Sequence, residues 1–169
     1  MKQGFTREEA ERMVETYSDL ILRLSYTWLR STQDAEDVCQ TVFLKVLESG
    51  RAFDSPAHEK AFLIRTAINV CKDELKAARR RNVNLDACAE QAAPEQTGGE
   101  VRDAVAALDE KYRAVVYLHY YEGYTAREIA SMLRVPTPTI TTRLRRARAL
   151  LGDMLKGEHY ETGTVSQRT

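Results

Sequence analysis

Five arginines lie close together in the last third of the chain, with no acidic residue between them. They are Arg134, Arg143, Arg145, Arg146 and Arg148. A guanidinium group pairs with phosphate oxygens, and it can also donate two parallel hydrogen bonds to the edge of a guanine in the DNA major groove. This stretch therefore points to a nucleic-acid partner, although a solvated basic face without a ligand would have the same composition.

A helix-turn-helix pattern positions these arginines. Thr125 and Glu128 have the spacing of a capping box, which predicts the start of a first helix. Three apolar residues of that helix should face inward: Ile129, Ala130 and Leu133. We place the turn at residues 134–135. Thr137 as a cap in front of Pro138 predicts that a second helix follows at once.

The second helix should have one apolar and one polar face. Ile140, Leu144, Ala147 and Leu151 recur at helical spacing, which predicts a buried stripe. A rotation of about 100° per residue places the polar side chains opposite this stripe and along its flanks. The candidate DNA-binding residues on this surface are Thr141, Thr142, Arg143, Arg145, Arg146 and Arg148.

A second basic helix face is predicted at residues 60–81. Ile64, Ile68, Cys71 and Leu75 form its core stripe. The opposite face and its flanks combine amide, carboxylate and cationic groups that suit bases and phosphates. The candidate residues are Arg65, Asn69, Lys72, Asp73, Lys76 and Arg80. A solvated face with a basic carboxyl-terminal end would look the same.

The helix predicted at residues 34–47, with Asp34 as its cap, carries one apolar residue among polar ones. Its core arc consists of Val38, Cys39, Val42, Phe43, Val46 and Leu47. The other arc holds Asp37, Gln40, Thr41, Lys45 and Glu48, with Leu44 in the middle. Such a leucine is either simply exposed or the anchor of a protein contact, and the pattern alone fits both.

Two more helical segments complete the pattern. Residues 7–30 predict an amphipathic helix or a pair of helices, and residues 101–121 predict two helices that pack on the helix-turn-helix. The second of these contains Tyr117, Tyr120 and Tyr121. Tyrosines at such a place can stack on bases, but we expect these three to belong to the core.

The charge is unevenly distributed, although 25 basic and 25 acidic residues cancel overall. Residues 1–59 carry eleven acidic and seven basic side chains, and residues 82–100 carry four acidic side chains and no basic one. The latter segment also contains Pro94, Gly98 and Gly99 and no aromatic residue, which predicts a flexible acidic linker. We expect one helical domain at residues 1–81, a second at residues 101–155 and a polar tail at residues 156–169.

Several function classes are disfavoured. No apolar run approaches the roughly 20 residues of a membrane span, and the charged start is not a signal peptide, so we expect a cytoplasmic protein without membrane insertion. Three cysteines without C-x-x-C spacing indicate neither a disulfide framework nor a zinc site. We find no glycine-rich phosphate loop and no nucleophile with a base, so we expect neither an enzyme nor a cofactor.

The order of these parts resembles the extracytoplasmic-function (ECF) group of bacterial RNA polymerase sigma factors. Four stretches in register carry the resemblance, which covers roughly residues 10–155: residues 34–45, residues 61–69 with Asp73 and the arginine run, residues 108–113, and residues 128–130 together with residues 136–148. The resemblance implies an all-α fold with a sigma-2 domain and a sigma-4 domain, joined by a flexible linker that replaces the central domain of larger factors.

The resemblance also implies partners. The helix at residues 34–47 would bind the coiled coil of the polymerase β′ subunit through Asp37, Gln40, Thr41 and Leu44. The helix at residues 62–80 would read the −10 promoter element, and the preceding loop, at about residues 51–59, would hold a flipped base. The second helix of the helix-turn-helix would enter the major groove of the −35 element. The sigma-4 domain would dock on the β flap, and an anti-sigma factor would hold the protein inactive.

This sequence departs from the family pattern at four positions. Thr41 stands where glutamate is common, Leu47 and Phe62 stand where tryptophan is common, and Pro138 replaces a glycine. Thr41 would remove one polymerase contact, Phe62 would change the support of the −10 helix, and Pro138 would shift which residues reach the bases. None of these changes alters the predicted architecture.

Two other readings compete. A DNA-binding regulator could use the same helix-turn-helix without joining polymerase, but that reading gives the first domain no role. An adaptor could keep the polymerase contact and lack promoter opening.

Overall fold

The computed structural model describes residues 4–84 and 99–164, and every regular element in these ranges is helical. The chain divides into two compact units, within residues 1–94 and 95–169. The all-α fold is therefore confirmed. Residues 85–98, most of the predicted linker, lie outside the described residues.

The first unit consists of three helices that pack on one another: α1 (Arg7–Leu29), α2 (Thr32–Ser49) and α3 (Pro56–Asn84). Residues 7–29 form one continuous helix and not a pair. Each helix contributes fully buried apolar side chains to the common core, among them Trp28, Val42 and Ile64. The predicted stripes of α2 and α3 are buried, except that Leu47 and Leu75 are half-buried at the edge.

Two helices of the first unit start earlier than predicted, because serine caps them. Ser31 caps α2 by accepting a hydrogen bond from the Asp34 backbone N–H at 3.2 Å, so Asp34 lies in the first turn and is not the cap. In α3, Ser55 accepts from the His58 N–H at 3.2 Å and Pro56 is the first helical residue. A serine cap followed by proline is a helix start. The predicted loop therefore shrinks to residues 50–55.

The second unit contains α4 (Glu100–Ala107), α5 (Glu110–Val116), α6 (Ala126–Leu133) and α7 (Thr137–Thr164). A π-helical turn, Tyr117–Tyr121, continues α5. The first three helices pack around α7, the π turn contacts α5 and α6, and Val105, Leu108, Val116 and Ala147 form one cluster of that core.

The helix-turn-helix is present as α6 and α7. The capping box is confirmed, because the Thr125 side chain accepts from the Glu128 N–H and the Glu128 carboxylate accepts from the Thr125 N–H. Arg134 ends α6 in the left-handed region with φ 55°, at the predicted turn. Thr137 is not a cap, because α7 begins with it and the Pro136 carbonyl accepts the first helical bonds.

Helix α7 is also longer than expected. It continues to Thr164, into the region predicted to be a polar tail, and residues 165–169 lie outside the described residues.

Candidate nucleic-acid and protein interfaces

The outward face of α7 carries the predicted DNA-binding residues. Ile140, Leu144 and Ala147 are buried, which fixes the rotation of the helix on its core. Four candidate side chains are exposed as a result: Thr141, Arg145, Arg146 and Arg148. Thr142 and Arg143 are half-buried. Among the described residues, no acidic side chain pairs with Arg145 or Arg146, so both guanidinium groups are available to a ligand.

Arg148 is held by a residue that precedes the helix-turn-helix. Its Nη1 donates to the Tyr120 hydroxyl at 3.3 Å. The Tyr120 ring meets the His119 ring edge-on, with the centroids 4.8 Å apart. The Nδ1 atom of His119 lies 2.7 Å from the Tyr124 carbonyl oxygen, and because a carbonyl can only accept, Nδ1 carries the proton.

The expectation of three core tyrosines was wrong for two of them. Tyr117 is buried, but Tyr120 and Tyr121 are 51% and 57% exposed. The π turn accounts for this exposure. The Glu122 N–H bonds to the Tyr117 carbonyl five residues back, so the turn holds one residue more than an α-helical turn, and Tyr120 and Tyr121 are rotated outward. The Tyr121 ring instead stacks on that of Tyr117 at 5.5 Å.

The outward face of α3 carries the second set of candidates. Ile64, Ile68 and Cys71 are buried against α1 and α2, so the opposite side of the helix faces solvent. Four candidates are exposed there: Asn69, Asp73, Lys76 and Arg80. Arg65 and Lys72 flank them and are half-buried. The face therefore presents an amide, a carboxylate and cations along one line of the helix.

A row of aromatic rings lies between α3 and the loop at residues 50–55. The Phe53 ring is 5.4 Å from that of Phe62 in α3 and 5.5 Å from that of His58. The centroid of the Phe5 ring lies 6.2 Å from that of the Phe53 ring. The Arg51 guanidinium stands over the Phe62 ring at 5.0 Å, within cation–π range.

The sequence reasoning did not single out Phe5 or Phe53, and it placed Tyr120 in the core. A signal existed for Phe5, because it directly precedes the capping box of Thr6 and Glu9, a position where an apolar residue often packs on a neighbour. Phe53 gave no such signal, since it lies in a loop without periodicity.

The outward face of α2 has a different character. Leu44 is 59% exposed, although the apolar arc of the same helix is buried. Asp37 and Gln40 are exposed beside it, and Thr41 is half-buried. The Thr41 hydroxyl donates to the Asp37 carbonyl at 2.9 Å. The face thus combines one exposed leucine with polar and charged side chains, and the hydroxyl of Thr41 is engaged within its own helix.

No group of three His, Cys, Asp or Glu side chains in the described part of the chain could hold a metal ion. None of its helices combines the length and the apolar character that a membrane span requires. Cys39 and Cys71 are buried core residues, as expected, and burial raises the pKa of the Cys71 thiol to about 11.

Comparison with protein families matches both units. The family model Sigma-70 region 2 matches residues 13–81, and Sigma-70, region 4 matches residues 98–151. The first match contains α1 from residue 13, all of α2, and α3 up to residue 81. The second contains α6, the turn, and α7 up to residue 151.

Two characterised relatives cover most of the chain. It is 32% identical over 157 residues to the ECF RNA polymerase sigma factor SigL of Mycobacterium tuberculosis, a match that spans 85% of this chain and 89% of SigL. It is 26% identical over 164 residues to the ECF RNA polymerase sigma factor SigW of Bacillus subtilis, spanning 85% of this chain and 87% of SigW.

Solved structures support the same fold. The sigma factor RpoE of Bartonella quintana, in complex with the anti-sigma factor NepR, superposes with a TM-score of 0.71 at 19% identity over 86% of this chain and 96% of RpoE. CnrH, in complex with the cytosolic domain of CnrY, gives a TM-score of 0.66 at 22% identity over 90% of each chain. The chain belongs to the ECF RNA polymerase sigma factors, non-catalytic polymerase subunits that act in transcription initiation.

Proposed function

We propose that this sigma factor binds core RNA polymerase through the outward face of α2. Asp37, Gln40, Thr41 and Leu44 would contact the coiled coil of the β′ subunit. The exposed Leu44 supports this assignment, because burying a leucine in a protein contact contributes roughly 1.5–3 kcal/mol. The carboxylate and amide beside it would add orientation at the rim of the contact.

The outward face of α3 would bind the −10 element. Its cations, Arg65, Lys72, Lys76 and Arg80, suit the phosphates of a melted strand, whereas Asn69 and Asp73 offer hydrogen bonds to base edges. The loop at residues 50–55 would hold one base flipped out of the duplex. Flipping costs a few kcal/mol of unstacking, so a pocket that accepts the base favours the melted promoter over the closed one.

Helix α7 would read the −35 element in the major groove. Thr142, Arg145 and Arg146 lie on the side of α7 opposite the buried stripe and would reach base edges. Thr141, Arg143 and Arg148 would contact phosphates or bases at the edges of the groove. A good bidentate arginine–guanine pair discriminates against the wrong base by about 1–3 kcal/mol.

Two further partners are proposed for the whole chain. The second unit would dock on the polymerase β flap, and an anti-sigma factor would sequester the protein. The second proposal is supported by the RpoE and CnrH structures, because both proteins were solved with a partner bound and RpoE's partner is an anti-sigma factor. A polymerase subunit would act in the cytoplasm, where its core enzyme is.

The observation that carries the proposal is the presence of two exposed basic helix faces, one on α3 and one on α7, in a chain of the sigma family. A run-off transcription assay with core polymerase tests it. We expect promoter-specific transcripts from a promoter located by mapping transcript starts after overexpression. A protein that shifts promoter DNA alone and gives no transcript with core enzyme would instead be a helix-turn-helix regulator.

The polymerase contact has its own test. Leu44→Asp should weaken core binding at least tenfold, since it places a charge in an apolar contact, and should leave the far-UV circular dichroism spectrum unchanged. Val14→Asp, at an exposed apolar position of α1, is the matched control and should bind core as the wild type does. Loss of helical content in Leu44→Asp, or equal losses in both variants, would contradict the assignment.

A further inference from the structure

Phe53, in the loop at residues 50–55, contacts two other phenylalanine rings. One is that of Phe62, in the first half of α3, and the other is that of Phe5, in front of α1. Phe53 and Phe5 are both half-buried. The loop is therefore in contact with a residue more than 40 positions earlier in the chain.

The start of α1 holds Phe5 in a defined place. The Thr6 hydroxyl accepts from the Glu9 N–H at 3.2 Å, and the Glu9 carboxylate accepts from the Thr6 N–H at 2.8 Å. A complete capping box satisfies two backbone N–H groups at the start of the helix. Phe5 is the residue directly before this box, so the capped helix end determines where its ring can lie.

Helix α1 is in turn fixed to the beginning of α3. The Arg12 guanidinium donates two hydrogen bonds to the Glu59 carboxylate, at 3.0 and 2.9 Å, and Glu59 is only 7% exposed. The Tyr17 hydroxyl donates to the Pro56 carbonyl at 3.5 Å. A bidentate pair of this kind restricts the rotation of both side chains. The first half of α1 and the start of α3 are thus held in one arrangement.

Phe62 lies on the side of α3 that carries the candidate DNA-binding residues. It precedes Asn69 by seven residues, two turns of the helix, and the Arg51 guanidinium stands over its ring at 5.0 Å. The rings of Phe5, Phe53 and Phe62 thus form a chain of contacts from the start of α1, through the loop, to this side of α3.

We infer that Phe5 is a positioning residue for base capture: it holds Phe53, and through it the loop, in the conformation that accepts the flipped base, without touching DNA itself. The inference rests on the proposed role of the loop in promoter opening. The physical reason is preorganisation, because a loop that is ordered before binding loses less conformational entropy when the base enters.

The test uses the full chain with core polymerase and a single-stranded oligonucleotide of the −10 non-template strand. Phe5→Ala should weaken oligonucleotide binding about fivefold, within the range expected for one aromatic pair. Phe5→Tyr, which keeps the ring at a half-buried position, should restore it. Val14→Ala, at an exposed position of α1, is the control. Core affinity, −35 duplex binding and the thermal midpoint of Phe5→Ala should stay within the range of this control.

A second arm separates positioning from general stability. Abasic substitutions along the oligonucleotide locate the captured base as the position with the largest loss in wild-type binding. The Phe5→Ala variant should bind the intact oligonucleotide more weakly than the wild type does. It should bind the oligonucleotide with that abasic site as tightly as the wild type does, so that the effects of the protein change and the DNA change are coupled. A purely structural role of Phe5 would not produce coupling to a single base.

Three results would overturn the inference. Equal oligonucleotide binding by Phe5→Ala and wild type, or losses that are additive with every abasic site, would overturn it and leave the proposed function intact. A wild-type holoenzyme that shows no preference for any base of the −10 strand would overturn the proposed base capture itself, and the inference with it.

Discussion

Arg145 and Arg146 differ from the other arginines of this chain in how well they are placed to distinguish one base pair from another. Both project from the side of α7 opposite Ile140, and both are exposed. Arg148 is already engaged by the Tyr120 hydroxyl, and Arg143 is half-buried at the edge of the face. A side chain that is free to lie in the plane of a base pair can discriminate between bases, whereas one held at the rim is better placed for a phosphate.

We therefore predict different consequences for different cations. Arg145→Ala or Arg146→Ala should change which −35 sequences are bound, with a loss of about 1–3 kcal/mol at the contacted base pair. Lys76→Ala on α3 should instead weaken promoter binding by a similar factor for all sequences and lower the salt dependence by about one unit of slope. Binding selections on randomised promoters, with salt titrations, measure both quantities. Equal and sequence-independent losses for all three variants would remove the assignment of base reading to α7.

Sequence patterns predicted the exposure of some side chains correctly and that of others wrongly. The exposure of Leu44 and of the α3 and α7 faces followed from 3.6-residue periodicity, because a buried stripe fixes what lies opposite to it. Tyr120 and Tyr121 were misplaced because a π turn adds one residue and breaks that periodicity. Contacts such as Phe5 with Phe53 join residues far apart in the chain, and no local pattern encodes them.

Among the helices, the start was easiest to predict where two residues cap it together. The capping box of α6 has a reciprocal pair of bonds, and the structure places it where Thr125 and Glu128 indicate. The starts of α2 and α3 depend on Ser31 and Ser55, single residues that are also common in turns. In these two cases the sequence favoured a loop, and the structure has a capped helix.

The α6 capping box leads to a prediction about stability. Thr125→Ala removes the hydroxyl that accepts from the Glu128 N–H, and we expect it to lower the free energy of unfolding of the second unit by about 1 kcal/mol. Thr125→Ser keeps the hydroxyl and is the matched control. Chemical denaturation followed by circular dichroism measures the difference. An alanine variant as stable as the serine variant would show that water replaces the cap without cost.

The same motif gives a direction for pH. The Thr125 N–H and hydroxyl donate to the Glu128 carboxylate and lower its pKa from the ordinary value of 4.5. A lowered folded-state pKa means that this contribution is fully present above pH 4.5 and is lost as the pH falls through the folded value. The stability difference between wild type and Glu128→Gln should therefore shrink on acidification.

In the molecule as a whole, the proposed division of the DNA contacts follows from having two units with separate cores. Each unit buries its own apolar stripe and exposes one basic helix face, α3 in the first and α7 in the second. Two DNA contacts on one tether gain affinity from effective concentration: once one unit is bound, the other needs to search only the volume that the tether allows. The acidic composition of residues 82–100 predicts such a tether, and most of that segment lies outside the described residues.

Lengthening the tether should reveal whether both units act on one promoter. An insertion of glycine and serine residues that doubles the segment should lower promoter affinity of the holoenzyme about threefold, because effective concentration falls roughly as the −3/2 power of tether length. It should also let promoters with longer −10 to −35 spacing be used, while core binding through α2 stays unchanged. Run-off transcription on a series of spacer lengths measures both effects. Unchanged affinity together with an unchanged spacing optimum would mean that polymerase alone sets the distance between the two units, and the segment would then be a passive connection.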